Sequence, residues 1–245
     1  MGALTDIKVD RKALPAVVAV VVFGALAIAG DELHLYGLTI LFKPLATLAL
    51  FGVVGWPKTR FAWVVYAGIL LSLVGDVALL SDADMAFIIG LSGFLLAHVS
   101  YIVANFMVAR WGRQIPVVAV IVIAASAVTL SLARSPTFAI RVATLVYGAT
   151  ITTMVVSASA TLGGRLGLAP LAAVGAVLFY ISDTSLALNR FHRPIPHVAY
   201  LALGVYWLGQ LGIALAARGP VAAKSAPAPA ATPPAPATPS PAQPL

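Results

Sequence analysis

Eight apolar segments follow one another along the 245-residue chain, and short stretches with Gly, Pro or charged residues separate them. They span roughly residues 14–29, 35–54, 61–80, 84–108, 115–132, 138–161, 170–188 and 198–217. Each has a length near the ~20 residues that a helix needs to cross ~30 Å of hydrocarbon. The runs are continuous rather than alternating, which favours helices over the strands of a membrane barrel. The pattern predicts an all-α integral membrane protein with eight transmembrane helices.

The composition indicates a protein whose solvent is lipid. Hydrophobic residues make up 61% of the chain, charged residues make up 9%, and the mean hydropathy is +1.00. A soluble protein carries about a quarter charged residues, which help to cover its surface. The chain contains no cysteine. Disulfides, thiolate chemistry and Cys-ligated metal sites are therefore excluded.

The basic residues indicate how the chain is oriented. Those on the side of the N-terminus are Lys8, Arg11, Lys12, Lys58, Arg60, Arg110, Arg113, Arg165, Arg218 and Lys224. Those on the opposite side are Arg134, Arg141, Arg190 and Arg193. The positive-inside rule therefore places both termini in the cytoplasm. We expect the protein to lie in a cell membrane, namely the bacterial plasma membrane. Because these residues stand singly or in pairs at the ends of apolar runs, the net charge of +7 does not predict a nucleic-acid partner.

The predicted organisation has three parts: a cytoplasmic N-terminal segment over 1–13, a transmembrane domain over 14–217, and a Pro/Ala-rich tail over 218–245 that we expect to be disordered. The basic start, the first apolar run and the small residues at 27–29 also resemble a cleavable signal peptide. We interpret this run as a retained helix, because its removal would leave seven spans and unbalance the charge pattern.

Four ionisable side chains stand inside the apolar segments: Lys43, Asp76, His98 and Asp183. A charge at mid-bilayer costs at least ~2.5–3.5 kcal/mol, so such side chains usually face a protein interior and act there. At a rise of ~1.5 Å per residue, Lys43 and the two aspartates fall at similar depth in the outer half of the membrane. We expect one polar pocket with His98 at its floor. The alternative for each residue is a helix-packing or snorkelling role.

Further polar positions share helical faces with these four. Steps of three and four residues connect Gly90, Phe94, His98, Tyr101 and Asn105 in the fourth segment. The same spacing joins Lys43 to Thr47 and Tyr206 to Gln210, and Ser182 adjoins Asp183. In addition, GDVALL at 75–80 resembles SDTSLA at 182–187. This weak repeat predicts a four-plus-four duplication that places the two aspartates symmetrically about a central cavity.

Two carboxyl groups in a low-dielectric pocket can supply both an acid and a base, because one of them tends to keep its proton. Lys43 would favour the ionised form of whichever aspartate it approaches, and His98, Tyr101 and Tyr206 could orient the pair. Lys43 also opposes a divalent cation in the same pocket, so we expect no metal. The chain has no Ser-His-Asp array with suitable spacing and no Gly-rich phosphate loop, and we expect no cofactor.

Five motifs resemble the YhhN family of multi-pass membrane proteins, the lysoplasmalogenase family. They are KPL at 43–45, GDVALL at 75–80, GLSGFLLAHVSYI at 90–102, LFYISDTSLALNRF at 178–191 and YWLGQ at 206–210. The resemblance runs from about residue 35 to 215, and Tyr147 and Met154 also fit it. It implies an eight-helix membrane hydrolase that converts a lysoplasmalogen to a fatty aldehyde and glycerophosphocholine or glycerophosphoethanolamine.

The resemblance also implies roles for the polar residues. Asp76 and Asp183 are the expected catalytic acid and carboxylate, with their individual roles left open. The expected tuning or positioning residues are Lys43, His98, Tyr101, Ser182, Tyr206 and Gln210. Arg190 and Arg193 could bind the substrate phosphate, or they could anchor the seventh helix at the membrane interface. The expected partners are a lysophospholipid substrate and the bilayer.

Two other functions fit the same residues. Buried Asp, Lys and His could form the relay of a small-molecule or proton-coupled transporter. The sequence shows no pair of broken helices of the kind that many transporters use. The protein could also be a membrane scaffold without catalytic activity.

Overall fold

Long helices make up nearly all of the chain that the computed structural model describes, which is residues 11–81, 83–112, 114–132 and 138–220. In these ranges the α-helices are α1 (Leu14–Glu32), α2 (Tyr36–Val54), α3 (Arg60–Ala78), α4 (Asp84–Val108), α5 (Gln114–Leu132), α6 (Phe138–Ala160), α7 (Ala169–Phe191) and α8 (Val205–Arg218). Short 3-10 turns lie at Arg11–Ala13 and Thr161–Gly163, and a π-helical turn over Tyr200–Gly204 leads into α8. No strand occurs within these ranges, so the predicted all-helical class is confirmed.

Seven stretches of the described chain are long and apolar enough to cross a membrane, and they involve every helix except α5. The apolar part of α5, Ile115–Thr129, is shorter. The protein is therefore a multi-pass membrane protein, and the count of eight spans stays a prediction.

The helix limits agree with the apolar segments to within a few residues, with two differences. α1 continues through Glu32, where the Glu32 carboxylate contacts the His197 ring. The last span begins with the π-helical turn rather than with an ordinary helix. Pro44 lies inside α2, where its missing N–H leaves one backbone carbonyl of the preceding turn without its intrahelical donor.

The helix contacts trace a ring in the order α2, α3, α4, α6, α7 and α8, which closes through the contact of α8 with α2. α1 packs outside the ring against α2 and α8, and α5 packs outside it against α6 and α7. If α1–α4 are exchanged in order with α5–α8, so that α2 replaces α6 and α3 replaces α7, the order of helices around the ring stays the same. Gly68 of α3 receives the Tyr101 ring of α4, and Gly175 of α7 receives the backbone of Gly209 in α8. The outer helices do not follow the same exchange, because α1 contacts α8 whereas α5 contacts α7 instead of α4. The four-plus-four duplication stays a prediction.

The two ends of the described bundle lie on the same side. Ala16 faces Gly52 near the end of α2, and Arg218 donates a hydrogen bond from Nη1 to the carbonyl of Val53 at 3.1 Å. We call this the inner end and the opposite end the outer end. Which end faces the cytoplasm stays a prediction. The N-terminal residues 1–10, the tail from 221 onward, Arg113 and Arg134 lie outside the described residues.

Candidate active site

A cavity of about 320 Å³ opens among the ring helices in the outer half of the bundle. Its walls are mostly apolar, with a few polar side chains that converge on it. The lining residues that carry chemistry are Lys43, Asp76, Tyr147, Ser182, Asp183, Asn189, Arg190 and Tyr206. Both aspartates therefore face one compartment, although they come from α3 and α7. Such a pocket, with an apolar wall and few polar groups, is typical of a small-molecule site.

The carboxyl group of Asp76 is surrounded by donors. Its Oδ2 accepts hydrogen bonds from Thr47 Oγ1 at 2.5 Å and from the Tyr206 hydroxyl at 2.8 Å. Its Oδ1 lies 4.0 Å from Lys43 Nζ, and the two side chains are only 1% and 8% exposed. Thr47 follows Lys43 by one helical turn, so α2 presents both to α3. This environment complements a negative charge on Asp76.

A second layer of hydrogen bonds fixes the Asp76 partners. The amide of Gln210 donates to Ser72 Oγ at 2.8 Å and to the Tyr206 hydroxyl at 3.3 Å, while its oxygen accepts from Tyr101 at 2.7 Å. The indole of Trp207 donates to Thr47 Oγ1 at 3.2 Å. Tyr101 and Gln210 are fully buried behind the cavity wall. They can orient the groups that touch Asp76 but do not themselves line the cavity.

Asp183 has a less polar environment. Its Oδ2 accepts a hydrogen bond from the Tyr147 hydroxyl of α6 at 2.6 Å, and it lies 3.4 Å from His98 Nε2. The Asp183 side chain is 13% exposed, compared with 1% for Asp76. No cationic Lys or Arg is paired with it among the described residues. Asp183 is therefore the more accessible carboxyl group and has fewer partners.

The imidazole of His98 lies behind Asp183, enclosed by aromatic rings. Its ring centre is 4.6 Å from that of Phe179 and 5.3 Å from that of Tyr147, both edge-to-face. Within the described chain neither ring nitrogen has a hydrogen bond of normal geometry. A buried imidazole without such a bond is costly, and the nearest acceptor to Nε2 is Asp183. His98 thus adjoins one carboxyl group instead of lying beneath both.

Ser182 links α7 to the π-helical turn. Its hydroxyl donates to the carbonyl of Ala202 at 2.6 Å. Ala202 lies within this turn, and π-helical turns often occur at functional sites. The bond holds α7 and the start of the last span together beside Asp183.

The two outer arginines differ in placement. Arg190 lines the outer mouth of the cavity, and its guanidinium carbon lies 5.1 Å above the centre of the Phe87 ring. Asn189 stands beside it and accepts a hydrogen bond at Oδ1 from the backbone N–H of Ile195 at 2.8 Å. Arg193 is exposed beyond the end of α7 and does not line the described part of the cavity.

Thr47, Tyr147 and Trp207 were not among the predicted site residues, yet they contact the aspartates or their partners. The spacing of Thr47 from Lys43 was a usable signal. Tyr147 and Trp207 had only the family resemblance as a signal, because single aromatic residues are common in transmembrane helices. Within the described residues, no group of three or more His, Asp or Glu side chains is placed to hold a metal ion.

The fold and the cavity define a polytopic membrane protein with a dicarboxylate site enclosed by its helices. The sequence model of the YhhN family matches residues 38–217, and the chain belongs to that family. The human protein "Lysoplasmalogenase TMEM86B" is 30% identical over 211 residues, which cover 84% of this chain and 87% of the relative. No solved structure matches the chain significantly. Family and relative together support a membrane hydrolase of this family.

Proposed function

We propose that this chain is a lysoplasmalogenase, which hydrolyses the vinyl ether of a single-chain glycerophospholipid to a fatty aldehyde and a glycerophosphodiester. The observation that carries the proposal is that two carboxyl groups from distant helices line one cavity. The name of the human relative supports the same reaction. The remaining expectations belong to this proposal: eight spans, cytoplasmic termini and a bacterial plasma membrane.

The chemistry requires an acid and an anion. A vinyl ether resists nucleophiles until its β-carbon is protonated, which produces an oxocarbenium ion. Water then adds to the α-carbon, and the hemiacetal collapses to an aldehyde and an alcohol. A positioned acid contributes about 10²–10⁴-fold to such a proton transfer. A preorganised anion stabilises the cation that develops.

The environments of the two aspartates suggest which role each takes. Asp76 has two hydroxyl donors and the Lys43 ammonium nearby, and these favour its ionised form. We assign it the role of the anion that stabilises the oxocarbenium ion. Asp183 has one phenol donor and is more open to the cavity. We assign it the role of the acid that protonates the β-carbon and then, as carboxylate, accepts a proton from the attacking water.

The other polar residues act through these two. Lys43, Tyr206 and Thr47 hold Asp76, and Gln210 and Tyr101 in turn orient Tyr206. The other three residues act on Asp183. His98 and Tyr147 contact its carboxyl group directly, and Ser182 fixes the backbone next to it. We therefore propose them as positioning residues.

The purified chain in detergent is expected to release fatty aldehyde from a lysoplasmalogen. In D₂O the aldehyde is expected to carry one deuterium on the carbon next to its carbonyl, because the proton comes from an exchangeable acid. Mass spectrometry of the aldehyde measures both results. A transporter needs a sealed bilayer, so transport in vesicles without aldehyde release in detergent would contradict the proposal and favour the relay function.

Arg190 is proposed to bind the substrate phosphate. It stands seven residues beyond Asp183 on α7, which corresponds to about 10 Å along the helix, and its side chain lines the mouth. Arg190→Gln is expected to raise KM about tenfold or more with a smaller change in kcat, since a charge-assisted bond to phosphate is lost. Arg193→Gln is the matched control, expected within about twofold of the unmodified chain. Steady-state kinetics would refute this role if both variants behaved alike.

A further inference from the structure

The two halves of α6 are packed differently. From Ile151 to Ala160 every residue except Thr153 and Val156 is buried. In the outer segment, residues 138–150, no described side chain is buried. The same segment nevertheless lines the cavity through Thr144 and Tyr147. The outer segment of α6 is therefore the less covered of the two halves of this helix, and it forms part of the cavity wall.

Partly exposed residues continue around this part of the wall. Phe87 and Leu91 of α4 line the cavity and are only half-buried, and Leu186 of α7 is 37% exposed. Next to them on the outer surface lie Ile88, Ile89, Leu145 and Val146, which are 48–55% exposed. In a membrane-spanning bundle such apolar residues face acyl chains. Only a thin wall thus separates the dicarboxylate site from hydrocarbon beside α6, whereas Arg190 lies towards the outer polar surface.

We propose that this wall has a side opening at Leu91, Thr144 and Leu186, which admits the alkenyl chain of the substrate from the bilayer and holds it. The inference rests on the proposed function and adds a subsite to it. With the phosphate at Arg190 and the vinyl ether at Asp183, the alkenyl chain must turn sideways. The three residues that form the opening lie beside this path, since Leu186 stands on α7 between Asp183 and Arg190. A lysolipid can then react without leaving the bilayer, and only its reactive bond needs to enter the cavity. The apolar lining makes chain length a determinant of specificity.

The first test is photocrosslinking to the full-length chain in lipid nanodiscs. The probe is a saturated 1-O-alkyl lysophosphocholine with a diazirine on its chain, which lacks the double bond and cannot be hydrolysed by protonation. Adducts are expected at Leu91, Thr144 or Leu186. Unlabelled alkyl lysophosphocholine at about ten times its Kd should reduce them about tenfold, because mass action leaves about one site in eleven free. Adducts at Leu145 and Ile88 report bulk lipid and should persist. Competed adducts confined to other surfaces, or none at all, would overturn the proposal.

The second test fills the opening. Thr144→Trp is expected to lower kcat/KM for a long-chain lysoplasmalogen by about tenfold or more and to leave a short-chain vinyl ether within about twofold. Normal turnover of the short substrate shows that the variant is folded. The control is Leu145→Trp, one residue along on the lipid-facing side, with both substrates near normal. An equal loss of both substrates in Thr144→Trp would refute the chain site.

The two proposals fail separately. Competed adducts at the opening without aldehyde release from any vinyl ether would preserve the chain site and eliminate the lysoplasmalogenase. Aldehyde release without competed adducts would support the lysoplasmalogenase and eliminate the chain site.

Discussion

Asp183→Asn is expected to lower aldehyde release by about 10²–10⁴-fold, the usual contribution of a positioned general acid. The asparagine keeps an oxygen that can accept the Tyr147 hydrogen bond, which measures 2.6 Å in the native chain. The local geometry should therefore survive while the transferable proton is lost. Aldehyde formation by the purified variant measures the loss, and its elution and thermal unfolding in detergent report folding.

Thr184→Ala is the matched control for this variant. Thr184 is the next residue on α7 and does not line the described part of the cavity. We expect its turnover to stay within about twofold of the unmodified chain. Near-normal turnover in Asp183→Asn would remove Asp183 from the mechanism and with it the proposed pair of carboxyl groups.

When both Lys43 and Asp76 are replaced, we expect the stability of the protein to recover but its activity to stay lost. Removing either charge leaves the other buried and uncompensated, which costs about 3–5 kcal/mol in such pairs. Asp76→Asn and Lys43→Met should therefore each lower the unfolding temperature. The double variant should recover much of that loss, since neither charge remains, yet it should not release aldehyde because the anion at residue 76 is absent. Thermal unfolding and turnover of the four proteins form a double-mutant cycle.

Two outcomes of that cycle would contradict the proposed role of the Lys43–Asp76 pair. An active double variant would show that the pair only stabilises the fold. Additive losses of stability would mean that the 4.0 Å separation between Lys43 Nζ and Asp76 Oδ1 does not correspond to a coupled pair. An active double variant would also require another source of negative charge at the site.

The longitudinal organisation of the chain was predictable because bilayer thickness dictates the length of an apolar helix. α2 and α4, for example, lie within one residue of the predicted segments. The depth of Lys43, Asp76 and Asp183 followed from the fixed rise per residue, and the three side chains line one cavity. The π-helical turn before α8 escaped prediction, because its apolar sequence is compatible with an ordinary helix.

The lateral relations between helices were not predictable in the same way. Spacing specifies which face of one helix carries a polar group, but not which other helix that face meets. Lys43 pairs with Asp76 and not with Asp183, and the partner of Asp183 is Tyr147. The unequal environments of the two aspartates, and so their proposed roles, follow from these pairings.

The amino-acid sequence by itself determined the helical membrane class, the approximate limits of the spans and the depth at which ionisable groups stand, because each depends on position along one helix axis. Only the tertiary structure decided the partners of each carboxyl group and the contribution of the outer segment of α6 to the cavity wall. These depend on the order of helices around the ring and on their rotation. Contacts between residues more than a hundred positions apart determine both, as between Tyr206 and Asp76.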